Sequence, residues 1–176
     1  MGFVFAGLYL WLADPSRRTM MLSLALVLPG LWLRAYASGY VRKDAQLTTT
    51  GPYAHTRNPL YLGSMLIAFG FAAAAASWMI LALLALLFAA IYIPTILSEE
   101  AYLREHFAGF DAYARAVPRL LPRATGAAKE MAMDGGVPAE GGFSTELYLR
   151  HREYNSAMGA VVLYLALALK LLFYSR

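Results

Sequence analysis

Apolar positions fall in long unbroken runs along this chain instead of on one face of short elements. A bilayer core requires about 20 apolar residues per helical span. The first run, Gly2 to Ala13, is shorter than that, a thin tilted pass or the remnant of a longer helix. Asp14-Pro15-Ser16 stops it and caps a second run from about Thr19 to Tyr40, which is long enough to span. Pro29-Gly30 predicts a kink near its middle. A polar stretch, Val41 to Arg57, follows, and Asn58-Pro59 reopens helix with a capping residue and a proline suited to a first turn. Leu60 to Leu97 carries no charge at all, which predicts two spans with a tight turn near Ala76-Ser77. The Ala72 to Ala76 run suits close approach of helix backbones. Charge returns at Glu99-Glu100, the helical pattern continues to Val117, and Pro118 and Pro122 end it. Thr125 to Gly142 has the composition of a linker. Ser144-Thr145-Glu146 caps an interfacial segment, Leu147 to Asn155, before a last span from about Ser156 to Tyr174. There is no internal repeat.

The pattern predicts an all-α polytopic membrane protein: about five transmembrane helices with a cytoplasmic helical extension. It divides into a core over 1–123, a flexible cytoplasmic linker over 124–143, and an interfacial segment with a C-terminal span over 144–176. Composition agrees, since 60% of the 176 residues are hydrophobic and 15% charged, against roughly 45–50% and 25% in soluble domains. With no cysteine, disulfides and thiolate chemistry are excluded. The formal charge of +4 does not point to nucleic acid, because the basic residues flank apolar runs, where they set topology and meet anionic headgroups. Ten of the fifteen Lys and Arg residues lie in Val41–Arg57 and Ser98–Asn155. The positive-inside rule places those segments in the cytoplasm, the N-terminus inside and the C-terminus outside, as expected in a bacterial inner membrane. No basic residue precedes the first run and no small-residue cleavage pattern follows it, so it does not read as a secretory signal.

Spacing brings two polar clusters together. Asn58 to Ser77 is about 29 Å of helix and Ser77 to Glu99 about 33 Å. Antiparallel helices of such similar length return their ends to one depth, roughly 8–10 Å apart. His55-Thr56-Arg57-Asn58 is therefore predicted to face Glu99-Glu100. Two adjacent carboxylates at the edge of an uncharged stretch are costly unless paired or hydrogen-bonded. In the bland reading they mark the exit from the membrane, Glu100 pairing with Arg104 one turn on. Glu99 then lacks a partner, which a cationic ligand would supply. Singly, Arg57 reads as a topology anchor, His55 as a capping residue, Tyr53 and Tyr61 as interfacial aromatics, and Gly63 and Gly70 as packing positions.

Together they form a pattern. Gly51-Pro52-Tyr53, three residues, Arg57-Asn58-Pro59, one residue, Tyr61, one residue, Gly63 resembles the signature of isoprenylcysteine carboxyl methyltransferases, shared loosely by phospholipid methyltransferases. A second block resembles the family's other half: Glu99-Glu100, then Leu103, Phe107, Tyr113, Val117 and Arg119 before Pro122. The resemblance covers about 47–122, with blocks at 47–63 and 99–122. It departs at Asn58, where the family often has His, and at Phe107-Ala108-Gly109, where Phe110 follows one residue early.

The resemblance implies an S-adenosylmethionine-dependent membrane methyltransferase, with cofactor bound on the cytoplasmic side and a lipophilic or prenylated acceptor arriving from the bilayer. It implies a catalytic group of Arg57, His55 and Arg119, and a cofactor-binding group of Glu99, Glu100, Asn58, Pro59, Tyr61, Gly63, Tyr53 and Tyr113. In it Arg57 pairs with the cofactor's carboxylate, the glutamates take its ammonium or ribose hydroxyls, and Tyr113 and Arg119 close a lid. A carboxylate or thiolate acceptor needs no base; for an amine acceptor His55 is the candidate. Two readings compete: a sterol-type reductase using NADPH, which the two glutamates disfavour because they repel phosphate, and a scaffold subunit with no ligand. A channel or transporter is disfavoured, since no span carries a charge near its centre and Lys170 lies toward one end.

Overall fold

The structure, a computed structural model, describes residues 2–42, 46–124 and 142–174. Almost all of the linker read over 124–143, together with Lys43, Asp44 and Arg176, lies outside them. Among the described residues the regular elements are all helices, as expected. The helices are α1 (Gly2–Leu12), α2 (Arg17–Ser38), α3 (Pro59–Ala75), α4 (Trp78–Leu87), α5 (Ile93–His106), α6 (Phe110–Ala116), α7 (Thr145–Arg150) and α8 (Tyr154–Tyr174).

One π-helical turn, Phe88–Tyr92, fuses α4 and α5 into a single rod of 29 residues. Three helices are long and apolar enough to cross a bilayer by length and composition: α2 with 22 residues, the α4–α5 rod, and 20 residues of α8. Their mean hydropathies are 1.5, 2.6 and 2.0. α3, with 17 residues, is a shorter apolar helix, and α1 has 11. The five expected spans are thus three full-length helices and two shorter ones packed among them.

Local chemistry explains the boundaries. Ser16 caps α2 in a reciprocal capping box with Thr19, and the helix runs on through Pro29 to Ser38. α3 stops where Ala76 turns left-handed at φ +50°, and Ser77 then caps α4 by accepting from the Ile80 N–H. That is the turn the uncharged run predicted. Ser144 caps α7 through the Leu147 N–H.

The end remote from the glutamates is tied tightly. The Asp14 N–H reaches the Ala75 carbonyl at 2.7 Å, and Lys170 Nζ donates to the carbonyls of Leu10 and Ala13 at 2.6 and 2.5 Å. That lysine covers orphan carbonyls at the end of α1, where a cation is favoured. The buried core, including Val27, Phe71, Ala74, Ile80 and Leu167, lies between these helices. α2 and α3 approach closely because two glycines meet: a Cβ on Gly30 would sit 2.8 Å from the Gly63 carbonyl oxygen.

Candidate functional site

The opposite end of the bundle opens into a cavity of about 430 Å³, within the range of roughly 300–1,000 Å³ common for small-molecule sites. α3 and the signature loop form its middle, α5 and α6 one wall, and α2 with the start of α8 another. The predicted meeting of the two clusters is realised here. Arg57 Nη1 lies 3.2 Å from Glu100 Oε1, and the Tyr61 hydroxyl donates to Glu99 Oε1 at 2.9 Å.

Glu100 is 5% exposed and held between two guanidiniums. Arg119 binds it in two-pronged fashion, Nε to Oε1 at 3.0 Å and Nη2 to Oε2 at 2.9 Å. Arg104, its partner in the bland reading, pairs instead with Asp111 at 2.8 Å and lies over the Phe110 ring. The short α6 folds back beneath α5 and offers Arg104 a nearer carboxylate, while the chain after α6 brings Arg119 to Glu100. Hydrogen bonding to Glu100 raises the pKa of Arg119 further, so it remains charged. Glu99, one residue earlier on the helix, is exposed, lines the cavity and has the Tyr61 hydroxyl as partner.

Arg57 is the least settled group. Its side chain is 11% exposed, and its Nε is buried without a hydrogen-bond partner. Leaving a charged donor so is costly, about 1–3 kcal/mol or more. The backbone around it is fixed by a strap, residues 117–123, lying across the signature loop. Arg57 N–H donates to the Pro118 carbonyl at 2.9 Å, Thr56 Oγ1 to the Leu120 carbonyl at 3.0 Å, and Arg123 N–H to the His55 carbonyl at 3.0 Å. Asn58 holds the N-cap position of α3 but makes no side-chain cap; its Nδ2 donates to the Arg119 carbonyl at 2.9 Å. Pro59 has no N–H to satisfy, which lessens the need for a cap there.

The predicted residues do not all line the cavity. Arg57, Asn58, Pro59, Tyr61, Tyr53, Tyr113, Glu99 and Glu100 do, whereas His55, Gly63 and Arg119 do not. His55 is bound through Nδ1 to the Arg123 carbonyl at 2.9 Å. Gly63 faces α2, where a Cβ would meet Arg34 Cγ at 2.6 Å. Arg119, half exposed, acts on the cavity through Glu100. Tyr113 is buried and donates to the Tyr53 carbonyl at 2.8 Å. Burial raises the pKa of both tyrosines, and nearby carboxylates add to this.

Three charged residues that sequence reasoning does not assign to the site also line the cavity: exposed Arg42 just past α2, and the partners Arg34 from α2 and Glu153 just before α8. Arg34 and Glu153 form a two-pronged pair, Nη2 to Oε1 at 2.8 Å and Nε to Oε2 at 3.0 Å. The available signal was Arg34 itself, a charge inside an otherwise apolar span. Tyr92, placed in the wall by the π-turn, packs edge-on to Tyr61 with ring centroids 5.0 Å apart. π-turns are frequent at functional sites.

Fold and site define a polytopic helical membrane protein with a charged cavity at one mouth of the bundle. A family profile for phospholipid methyltransferases matches residues 19–109, just over half of the chain. The chain belongs to that family. It is 39% identical over 114 residues to the nickel-cobalt-cadmium resistance protein NccN of Alcaligenes xylosoxydans xylosoxydans, covering 64% of this chain and 53% of that one. To the cobalt-zinc-cadmium resistance protein CzcN of Cupriavidus metallidurans it is 40% identical over 114 residues, covering 64% and 52%. The chain therefore spans about half the length of these curated relatives. No solved structure matches.

Proposed function

We propose that the chain transfers the methyl group of S-adenosylmethionine to a lipophilic acceptor at the cytoplasmic membrane surface. The observation that carries this is Arg57. It is held by Glu100 on one side, and its buried Nε has no partner. A carboxylate arriving in the cavity would satisfy that donor with a charge-assisted bond. Glu99, exposed in the same cavity and held only at one oxygen by Tyr61, supplies the opposite charge for an ammonium or ribose hydroxyls. One guanidinium nitrogen and one carboxylate thus match the two ends of an amino-acid moiety. Glu99 and Glu100 in the cavity favour this cofactor over NADPH, whose extra phosphate they would repel.

When bound, the cofactor supplies a methyl group on a sulfonium, already activated for displacement. The protein's part is alignment and exclusion of water, worth roughly 7–11 kcal/mol for a well-oriented pair. Tyr61, Tyr92 and Leu103 give the cavity apolar surface beside its charges. His55 is tied to the strap and does not line the cavity, so it is not placed to take a proton from an amine acceptor. A carboxylate acceptor, as in the isoprenylcysteine enzymes, needs no base.

The relatives are named for metal resistance. Among the described residues no group of three or more His, Asp or Glu is placed to hold a metal ion, and the chain has no cysteine. A contribution of this chain to such resistance would come through methylation of a membrane component. The test is calorimetric titration with S-adenosylhomocysteine. Saturable binding to the wild type, weakened at least about tenfold by Glu99→Gln, a difference of about 1.4 kcal/mol, is expected. A folded wild type that binds none would refute the reading.

A further inference from the structure

The ion pair between Arg34 and Glu153 lies in the wall of the same cavity, yet Glu153 lies beyond the family-matched region, 19–109. Its side chains are 23% and 10% exposed. Burying two charges costs several kcal/mol per ion, and an apolar pair of similar volume is often as stable or more so. Packing alone therefore does not account for it.

The surrounding structure is arranged to aim the pair. Arg152, immediately before Glu153, adopts a left-handed backbone at φ +52°, a conformation that costs of order 1–3 kcal/mol in a residue other than glycine. Gly63, a residue of the signature, lacks the Cβ that would collide with the Arg34 stem. Through that gap Arg34 Nη1 reaches Ser64 Oγ, and the Leu60 carbonyl at 3.3 Å. The signature glycine thus serves Arg34.

Donor accounting shows what remains. A guanidinium has five N–H groups. Nε and one N–H of Nη2 go to Glu153, and both of Nη1 go to Ser64 and Leu60. One N–H of Nη2 is left. On Glu153, Oε2 accepts from Arg34 and from Ser156 Oγ at 3.2 Å, while Oε1 accepts from Arg34 alone. The pair therefore offers one charged donor and one charged acceptor side by side, without having to separate.

We propose that the Arg34–Glu153 pair is the recognition site for the head of the methyl acceptor, an amphiphile carrying an anionic oxygen close to an N–H donor. Arg34 takes the oxygen and Glu153 the N–H. The cofactor-side groups stand on the other flank of α3, where Tyr61 meets Glu99. Tyr53 lines the same cavity as both groups. Carboxylate and phosphate heads share this chemistry. The assignment of the site to a methyl acceptor rests on the function proposed above.

The experiment compares detergent-solubilised wild type with the charge exchange Arg34→Glu plus Glu153→Arg, which keeps the ion pair but reverses it. Binding is measured for S-adenosylhomocysteine and for micelles doped with N-acetyl-S-farnesylcysteine or phosphatidylethanolamine, with farnesol and diacylglycerol as neutral controls of like tail. The wild type is expected to hold at least one of the two amphiphiles, each bearing an anionic oxygen near an N–H, about tenfold more tightly than its neutral control. The exchange is expected to abolish that preference while cofactor-product binding stays within about twofold. Which amphiphile is preferred tells carboxylate from phosphate. If the exchange does not fold, the apolar pair Arg34→Met with Glu153→Leu serves in its place. Absence of any head preference in the wild type, its survival in the exchanged protein, or loss of S-adenosylhomocysteine binding in the exchange would overturn the proposal. Failure of S-adenosylhomocysteine to bind the wild type refutes the cofactor reading instead, and the amphiphile preference is still decided on its own.

Discussion

Glu99 and Glu100 are neighbours in sequence with opposite duties, and their environments separate them by experiment. Glu100 is buried between Arg57 and Arg119. Glu100→Gln leaves two guanidiniums facing each other without a counter-charge. The expected loss of stability is about 3 kcal/mol, at the low end for breaking a buried pair because Arg119 is half exposed. Glu99 is exposed and bonded to Tyr61, so Glu99→Gln should leave the melting temperature unchanged while weakening S-adenosylhomocysteine binding. Melting curves of both variants in one detergent check the contrast; equal destabilisation would mean that the two glutamates share one structural role. Gly63 makes a third case. Gly63→Ala places a methyl against Arg34 Cγ and the Gly30 carbonyl oxygen, overpacking that typically costs about 1–3 kcal/mol. Thermal denaturation should register that loss, because both helix backbones and the Arg34 stem must shift.

At the scale of elements, the strap is the feature that assembles the site. Residues 117–123 bind the signature loop through main-chain and side-chain bonds, and α6 anchors the strap through Phe110, Tyr113 and Val117, which form their own small core. Tyr113 joins that core to the loop by donating to the Tyr53 carbonyl, and burial raises its pKa above the ordinary value near 10. Its neutral form is favoured in the folded protein. The stabilisation is complete below about pH 10, the unfolded pKa, and is lost as pH rises beyond it. Tyr113→Phe should cost about 0.5–1.5 kcal/mol at neutral pH, a typical net hydrogen bond. It should also flatten the alkaline decline in stability, as unfolding measured from pH 8 to 11 would show. The elements themselves were largely legible in sequence. The turn at Ala76-Ser77, the caps at Ser16 and Ser144, and the meeting of loop and glutamates follow from short-range chemistry and equal helix lengths. The strap was not, because its bonds, mostly from loop donors to strap carbonyls, join residues some sixty positions apart and leave no periodic trace. The bland pairing of Glu100 with Arg104 fails for the same reason: helical spacing proposes a local partner, and tertiary structure supplies Arg57 and Arg119 instead.

At the scale of the whole molecule, the bundle is asymmetric in charge, and its orientation is a physical consequence open to test. The end holding Asp14, the start of α2 and the end of α8 is closed by main-chain ties and Lys170. The end holding the cavity also carries Arg104, Arg115, Arg119, Arg123, Arg150 and Arg152. Basic residues near span ends are retained on the cytoplasmic side. The chain has no cysteine, so single cysteines report position without background. Both Arg18, at the closed end, and Arg150, on α7, are exposed. In intact bacterial cells expressing the protein, a membrane-impermeant maleimide should label the Arg18→Cys variant, and label Arg150→Cys only after the inner membrane is permeabilised. The opposite pattern would place the cavity on the outer face, away from the cytosolic supply of S-adenosylmethionine. That result would separate site from cofactor even if both carboxylates bound as proposed. Sidedness therefore constrains the function independently of any contact within the cavity.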